Sequence, residues 1–277
     1  MTTAISTKPR NTLSTETTTA NPTEPAWTDS RLENPHVDPD KAERVEQMFA
    51  AIAPSYDLNN RVHSLGRDQA WRKTAVKMAT LKPTDRVLDV ACGTGDLTFA
   101  FASALNKLQD KDVKAETVVG ADFTEPMLDV ARSKQPSSLD TDFQFGDATA
   151  LEFADASFDV VSIAFGIRNV SDPRKALGEF YRVLRPGGRL IVLEFTVPGN
   201  PLMRLMNNFY CGWVMPKTAT LISGDKSGAY KYLPRSVSTF TGKTELIDAM
   251  QVTGFADVTA KTLSFGIAAC YRGVKPD

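Results

Sequence analysis

The stretch Val87-Leu88-Asp89-Val90-Ala91-Cys92-Gly93-Thr94-Gly95-Asp96 decides the fold, because it has the order of a strand, a glycine turn and a helix start. Glycine lets the backbone pass close to a ligand because it has no Cβ. The first turn of the following helix offers unpaired N–H groups. Together these features predict a site for the polar end of a nucleotide-like molecule.

The charge next to this turn indicates which molecule binds. Asp89 stands at the end of the strand, where a carboxylate would repel a pyrophosphate and would suit a cationic amino-acid group. The dinucleotide pattern also has a glycine where this chain has Ala91. The sequence therefore favours S-adenosylmethionine over a nicotinamide dinucleotide.

Composition excludes several classes of protein. The 277 residues are 42% hydrophobic and 23% charged, as in ordinary globular domains. The 32 Lys and Arg against 33 Asp and Glu leave no basic field for nucleic acid. Three scattered cysteines predict a reduced, cytoplasmic protein, and two histidines give no basis for a metal site. We expect neither a membrane span nor a signal peptide.

The chain divides into a tail and one domain. Residues 1–40 are rich in Thr, Ser, Pro and Asn, which predicts a disordered tail. Residues 41–277 form the domain, and its first part, 41–82, is predicted to be a helical cap. Within this cap, Pro54 should end the first helix, and 55–66 should form a loop before a second helix.

From Arg86 onwards, apolar strands alternate with amphipathic helices, and this order predicts a parallel sheet with helices on both faces. Residues 106–116 are charged and are predicted to loop. We place strands at 86–91, 117–121, 143–145, 158–165, 189–197, 256–263 and 267–272, and helices at 96–108, 125–133, 172–184 and 242–253. Ligands in such folds bind beyond the carboxyl ends of the strands.

Residues 199–235 break the alternation and are predicted to be an insertion over the active site. It carries an apolar stripe at helical spacing, made of Leu202, Leu205, Met206, Phe209, Trp213 and Val214. Three interpretations are open for this stripe: it lines a channel for an apolar tail, packs a homodimer, or covers the sheet.

Four pieces of the predicted sheet edge could contact one S-adenosylmethionine molecule. Gly93 and Gly95 would approach its methionine end, and Asp122 can accept hydrogen bonds from both ribose hydroxyls. Asp147-Ala148 would meet the adenine amine, and Ala164 would close the floor of the pocket.

Narrower motifs indicate a family. Tyr56-Asp57-x-x-Asn60 and Phe165-Gly166-Ile167-Arg168-Asn169 accompany the glycine turn and a Pro186-Gly187-Gly188 turn. From about residue 41 to 274 the chain resembles the quinone C-methyltransferases that methylate demethylmenaquinol or a polyprenyl benzoquinol.

This resemblance implies a class I methyltransferase fold, an α/β fold whose seven-stranded sheet ends in an antiparallel strand. It implies S-adenosylmethionine contacts at Thr94, Asp122 and Asp147-Ala148. The chain departs from many relatives at Ala164, where they carry serine and where a hydrogen bond to the cofactor is therefore lost. The implied reaction is C-methylation of demethylmenaquinol to menaquinol, the last step of menaquinone biosynthesis.

The implied chemistry needs an ionised hydroquinone, because a neutral ring carbon is a poor nucleophile. A free phenol has a pKa of about 10, so a nearby cation must favour the phenolate. We expect Arg168 to hold the oxyanion, Asn169 to fix the geometry, and Tyr56 and Asp57 to relay the proton.

Alternatives to this reaction stay open. A polyprenyl benzoquinol could be the acceptor, or the protein could bind S-adenosylmethionine without turnover. A prenyl tail that resides in a bilayer also predicts transient contact with the inner membrane face.

Overall fold

A seven-stranded mixed sheet forms the centre of the protein. The computed structural model describes residues 26–108, 116–223 and 227–277. The strands are β1 (Val87–Val90), β2 (Val118–Asp122), β3 (Thr141–Phe145), β4 (Phe158–Ala164), β5 (Leu184–Phe195), β6 (Ala256–Leu263) and β7 (Ala268–Val274). Their order is β3-β2-β1-β4-β5-β7-β6. Strands β1 to β5 are parallel, and β7 is antiparallel to both of its neighbours, β5 and β6. The predicted antiparallel last strand is confirmed.

Helices cover both faces of this sheet. They are α1 (Lys41–Ile52), α2 (Tyr56–His63), α3 (Arg67–Ala79), α4 (Asp96–Leu108), α5 (Glu125–Ser133), α6 (Pro173–Val183), α7 (Pro201–Phe209), α8 (Met215–Ser223), α9 (Ala229–Thr239) and α10 (Lys243–Thr253). Successive strand residues point to opposite faces. Accordingly, Val87 packs with α3 and α4, whereas Leu88 packs with α6 and α10.

The sheet topology creates the place for a site. Strand order reverses between β1 and β4, and the connections that follow these two strands leave in opposite directions. A crevice therefore opens at their carboxyl ends, where open α/β sheets bind ligands. The glycine turn after β1 lies at this crevice.

Helix α1 ends at Ile52, just before Pro54, as the sequence predicts, but the segment that follows is not a loop. Residues 56–63 form helix α2 instead of a loop. Pro54 occupies the first turn of a short 3₁₀ helix, Ala53–Ser55, where its missing N–H costs nothing, so the chain bends and continues as helix.

Order also begins earlier than the sequence predicted. Trp27 is buried and its ring stacks on Tyr232 with centroids 4.5 Å apart. Residues 26–40 are therefore packed against the domain, because one large aromatic ring buries enough surface to hold a polar segment. The rest of the predicted tail, 1–25, and most of the predicted 106–116 loop lie outside the described residues.

The 199–235 insertion is helical wherever it is described. Helix α7 continues through a π-helical segment, Tyr210–Val214, into α8. Ala219 of α8 and Tyr230 of α9 share a buried cluster with Met48 of α1. No residue of α7 is buried, and the apolar stripe is largely exposed, so the interpretation that it covers the sheet is wrong. Within the described ranges, no helix has both the length and the apolar character that crossing a bilayer requires.

Candidate active site

An open cavity lies at the carboxyl ends of the central strands. Its walls come from four strand ends and from the helices α1 and α2 above them. The predicted site residues on these walls are Tyr56, Gly93, Asp122, Asp147, Ala148, Ala164 and Asn169. Residues from six separate parts of the chain thus meet in one space, which lies where open α/β sheets bind small molecules.

The floor of the cavity uses strained backbone. Ala91 and Phe165, at the ends of β1 and β4, both have left-handed backbone, with φ of 50° and 56°. Such conformations cost energy in residues other than glycine and are common at functional sites. Ala91 thus takes the place of the first glycine of the loop. A Cβ on Gly166 would lie 2.6 Å from the Cβ of Ala91, so the two strand ends meet with no space for a larger residue.

Asp122 fixes the glycine turn and faces the cavity. One carboxylate oxygen accepts the N–H of Gly93 at 2.7 Å, and the other accepts the N–H of Thr124 at 2.8 Å. Burial raises the pKa of Asp122, and these backbone donors oppose the rise. Asp122 also lines the cavity, where a carboxylate is a suitable acceptor for the hydroxyls of a vicinal diol.

Asp147 and Asp89 differ in what they can reach. One oxygen of Asp147 accepts from the N–H and the hydroxyl of Thr149, which leaves the other oxygen for a donor in the cavity. Asp89 is buried under the turn, where it accepts from the hydroxyls of Thr98 and Ser162. Burial raises the pKa of Asp89 to about 6. This arrangement supports the turn from below and does not support direct contact between Asp89 and a ligand.

Asp57 joins α2 to the glycine turn. It accepts from the hydroxyl of Thr94 at 2.5 Å and from the ammonium of Lys134 at 2.5 Å. Lys134 also contacts Asp96 at 2.8 Å. Burial works against the charge of Asp96, but Arg72 and Lys134 keep its pKa below the ordinary value. Asp57 thus ties α2 to the glycine turn and to the end of α5, and its role as a proton relay stays a prediction.

Tyr56 stands on the cavity wall beside Phe49, with the two rings edge to face and centroids 5.9 Å apart. Burial raises the pKa of Tyr56, so its hydroxyl keeps its proton and can donate a hydrogen bond into the cavity.

Arg168 lies directly behind the wall formed by Phe165 and Asn169. Its guanidinium donates to Glu194 at 2.6 Å and to the Phe165 carbonyl at 2.7 Å. Asn169 lines the cavity, donates to the same carbonyl at 3.2 Å, and accepts the hydroxyl of Tyr232 at 2.9 Å. Glu194 and Tyr232 were missed from the sequence. A glutamate inside an apolar strand could have indicated a buried cationic partner.

Lys41 was also missed. Its side chain is buried, and its ammonium donates to the carbonyl of Val170 at 2.6 Å. Among the described residues, no carboxylate forms an ion pair with it. Burial, assisted by the charge of Arg168, lowers the pKa of Lys41 to about 8. The available signal was a lysine four residues before Val45 on the buried face of α1.

Residues 38–275 match the model of the ubiE/COQ5 methyltransferase family. The chain belongs to the ubiE/COQ5 methyltransferase family. This membership confirms the resemblance inferred from the Tyr-Asp-x-x-Asn and Phe-Gly-Ile-Arg-Asn motifs.

Curated relatives agree with this family. A demethylmenaquinone methyltransferase from Thermus thermophilus is 47% identical over 230 residues, which are 83% of this chain and all of the relative. A ubiquinone/menaquinone biosynthesis C-methyltransferase, UbiE, from Geotalea daltonii is 39% identical over 85% of this chain and 98% of its own length.

Solved structures agree with the fold. A SAM-dependent methyltransferase from Thermotoga maritima superposes with a TM-score of 0.55 at 24% identity, over 83% of this chain and 99% of its own. Phosphoethanolamine N-methyltransferase 2 of Haemonchus contortus, solved with S-adenosyl-L-methionine, gives 0.51 at 17% identity, over 73% and 51% of the two chains. The predicted class I methyltransferase fold is confirmed.

Proposed function

We propose that this methyltransferase uses S-adenosylmethionine to methylate a ring carbon of demethylmenaquinol, giving menaquinol in the last step of menaquinone biosynthesis. One observation carries the proposal: a single cavity joins the glycine turn and two strand-end carboxylates to the Tyr56 and Asn169 side chains. The names of the curated relatives support the quinol as acceptor.

The half of the cavity at β1 to β3 fits S-adenosylmethionine. Asp122 would accept the ribose hydroxyls, and the free oxygen of Asp147 would accept the adenine amine. Gly93 would bring its backbone close to the methionine end, because no Cβ stands there. When bound, the cofactor supplies an electrophilic methyl group on a sulfonium. Ala164 offers no side-chain hydrogen bond, so the floor of the pocket would contribute shape alone.

The half of the cavity at β4 and α1 would hold the hydroquinone. The Tyr56 hydroxyl and the Asn169 amide are its polar groups, and Val45 and Phe49 give it apolar walls. Arg168 would favour the phenolate from behind this wall and would hold Asn169 in place through the Phe165 carbonyl. Because Glu194 neutralises part of this charge, Arg168 would act as a positioning residue more than as a direct oxyanion ligand.

A polyprenyl benzoquinol is the second candidate acceptor, because several relatives are named for both ubiquinone and menaquinone biosynthesis. Either acceptor carries a prenyl tail that partitions into lipid. We therefore propose a cytoplasmic enzyme that makes transient contact with the inner membrane face.

Purified protein incubated with S-adenosylmethionine and each reduced acceptor tests these assignments by mass spectrometry. The proposal predicts a singly C-methylated naphthoquinol, formed faster than the benzoquinol product. A faster benzoquinol reaction would assign the second acceptor. Saturable cofactor binding without either product would indicate a binding protein that does not turn over.

A further inference from the structure

Helix α7 carries an exposed apolar surface on one side. We define the docking face as Leu202, Leu205, Met206, Phe209 and Trp213, whose exposed fractions lie between 56% and 67%. These residues recur at intervals of three and four, so they share one side of α7 and of the π-helical segment after it. Apolar patches of this kind on a folded protein mark interaction sites.

The docking face continues onto neighbouring elements. Leu58, Val62 and Leu65, on and just after α2, are also exposed. The ring of His63 contacts the Tyr210 hydroxyl at 3.0 Å, which ties α2 to the π-helical segment. The two elements that carry these exposed apolar residues are therefore neighbours in the fold.

This region and the cavity lie at the same edge of the sheet. Strand β5 ends at Phe195 and leads into α7, and β6, which runs parallel to β5, ends at Leu263. The exposed Phe265 follows β6, and the adjoining Gly266 lies against Pro198, just before α7. The carboxyl ends of β1 and β4 that form the cavity floor are at this same edge. An apolar molecule bound along the docking face is thus at the same edge of the sheet as the cavity.

Apart from Asp57 and Asp68, which pair with Lys134 and Arg72, the charged residues of this region are cations. Residues 58–67 and 197–221 contain no Asp or Glu and four cations, Arg61, Arg67, Arg204 and Lys217, of which Arg61 lies 3.9 Å from Asp96. The Lys217 ammonium lies 4.0 Å from the centre of the exposed Trp213 ring. Exposed aromatic and aliphatic side chains bordered by Lys and Arg are the chemistry of proteins that rest on anionic lipid.

We infer that the docking face binds the surface of an anionic lipid bilayer, and that the prenylated substrate passes from this bilayer into the cavity. The inference rests on the proposed function for the identity of the substrate. The assignment of the docking face itself depends only on the exposure, position and charge of its residues.

Vesicle co-sedimentation tests the docking face in the full-length protein. The vesicles are phosphatidylcholine, with or without phosphatidylglycerol, and the variants are Leu205→Glu and Phe209→Glu. Val252→Glu is the matched control, because Val252 is exposed on α10, which packs elsewhere. Removing one large apolar side chain from the bilayer should lower the partition coefficient about tenfold. Binding of the wild-type protein should require phosphatidylglycerol and weaken with salt.

A second measurement separates docking from catalysis. Each protein receives long-tailed demethylmenaquinol in vesicles, or a water-soluble analogue with one prenyl unit. Docking-face variants should lose activity on the vesicle substrate alone, and should bind S-adenosylhomocysteine as the wild type does.

Equal vesicle binding by the wild type and both docking-face variants would overturn the inference, even if the soluble analogue is methylated. If light scattering shows that these variants dissociate a dimer while vesicle binding is unchanged, the face belongs to a second copy and the inference is wrong. The variants could lose vesicle binding while the wild-type protein methylates neither acceptor. That result would support the docking face and refute the proposed function.

Discussion

The guanidinium of Arg168 lies 2.6 Å from the carboxylate of Glu194, and both side chains are almost fully buried. Burial raises the pKa of Glu194, and the charge of Arg168 opposes that rise. Removing one charge would leave the other buried without its partner, which is far more costly than removing both.

The stability of this pair gives the first prediction. Arg168→Met should lower the free energy of unfolding by about 3–5 kcal/mol. The double variant Arg168→Met/Glu194→Leu should be more stable than the single one, as urea denaturation would measure. A double variant as unstable as the sum of the two single variants would show that the two charges do not compensate each other. The Arg168→Lys variant keeps the positive charge and should fold; it should bind the cofactor with wild-type affinity and lose turnover.

Asp122 should control cofactor affinity. Asp122→Asn removes the charge but keeps one acceptor, so binding of S-adenosylhomocysteine should weaken by about 1.5–3 kcal/mol, the range for hydrogen bonds to charged groups. Calorimetry measures this loss, and Asp129→Asn, on the exposed side of α5, is the control. Unchanged affinity in the Asp122 variant would remove this residue from the site.

Replacing Asp57 distinguishes two roles for this residue: holding the glycine turn in place, or relaying a proton. If Asp57 holds the glycine turn through Thr94, then Asp57→Asn should weaken cofactor binding and leave kcat near the wild-type value at saturating cofactor. A relay would give the reverse, with normal affinity and a large loss of kcat. Binding and steady-state kinetics on the same preparation decide between them.

Lys41 should make stability depend on pH. The pKa of Lys41 is about 8 in the folded protein, against an ordinary value of 10.5. Between pH 8 and pH 10.5 the unfolded chain therefore binds more protons than the folded protein. Stability therefore rises with pH across this window, and the burial penalty is fully present below pH 8. Lys41→Met should be most stabilising, relative to the wild type, at pH 7, and this difference should shrink by on the order of 3 kcal/mol by pH 10.

The control for Lys41 is Lys73→Met, because Lys73 is exposed on α3. Its stability difference from the wild type should stay constant over the same range. A constant difference for Lys41→Met as well would mean that the buried ammonium keeps an ordinary pKa.

Gly166 should tolerate no side chain. Gly166→Ala places a methyl group 2.6 Å from Ala91 and 3.0 Å from Ile163, so we expect a loss of about 1–3 kcal/mol in stability. Gly178→Ala in α6 is the matched control, because open space surrounds that position. The control should be neutral or stabilising, since alanine favours helix. Thermal unfolding of both variants measures the difference.

The sequence alone determined the sheet, the glycine turn and most of the residues in the half of the cavity where we propose that the cofactor binds. These features depend on local order along the chain: an apolar strand, a turn that needs glycine, and a carboxylate at a strand end such as Asp122. Because parallel strands bring their carboxyl ends to one edge, local patterns were enough to bring Asp122 and Asp147 together.

Only the tertiary structure decided what the charged side chains do. Arg168, which the sequence predicts at the substrate, pairs with Glu194, 26 positions further along the chain. Asp57, which the sequence predicts to relay a proton, contacts Thr94 and Lys134, and the apolar stripe on α7 is exposed. A buried charge takes whichever opposite charge the fold brings near it, and a helix face is covered only if another element reaches it. Both outcomes depend on contacts between distant parts of the chain, which sequence spacing does not encode.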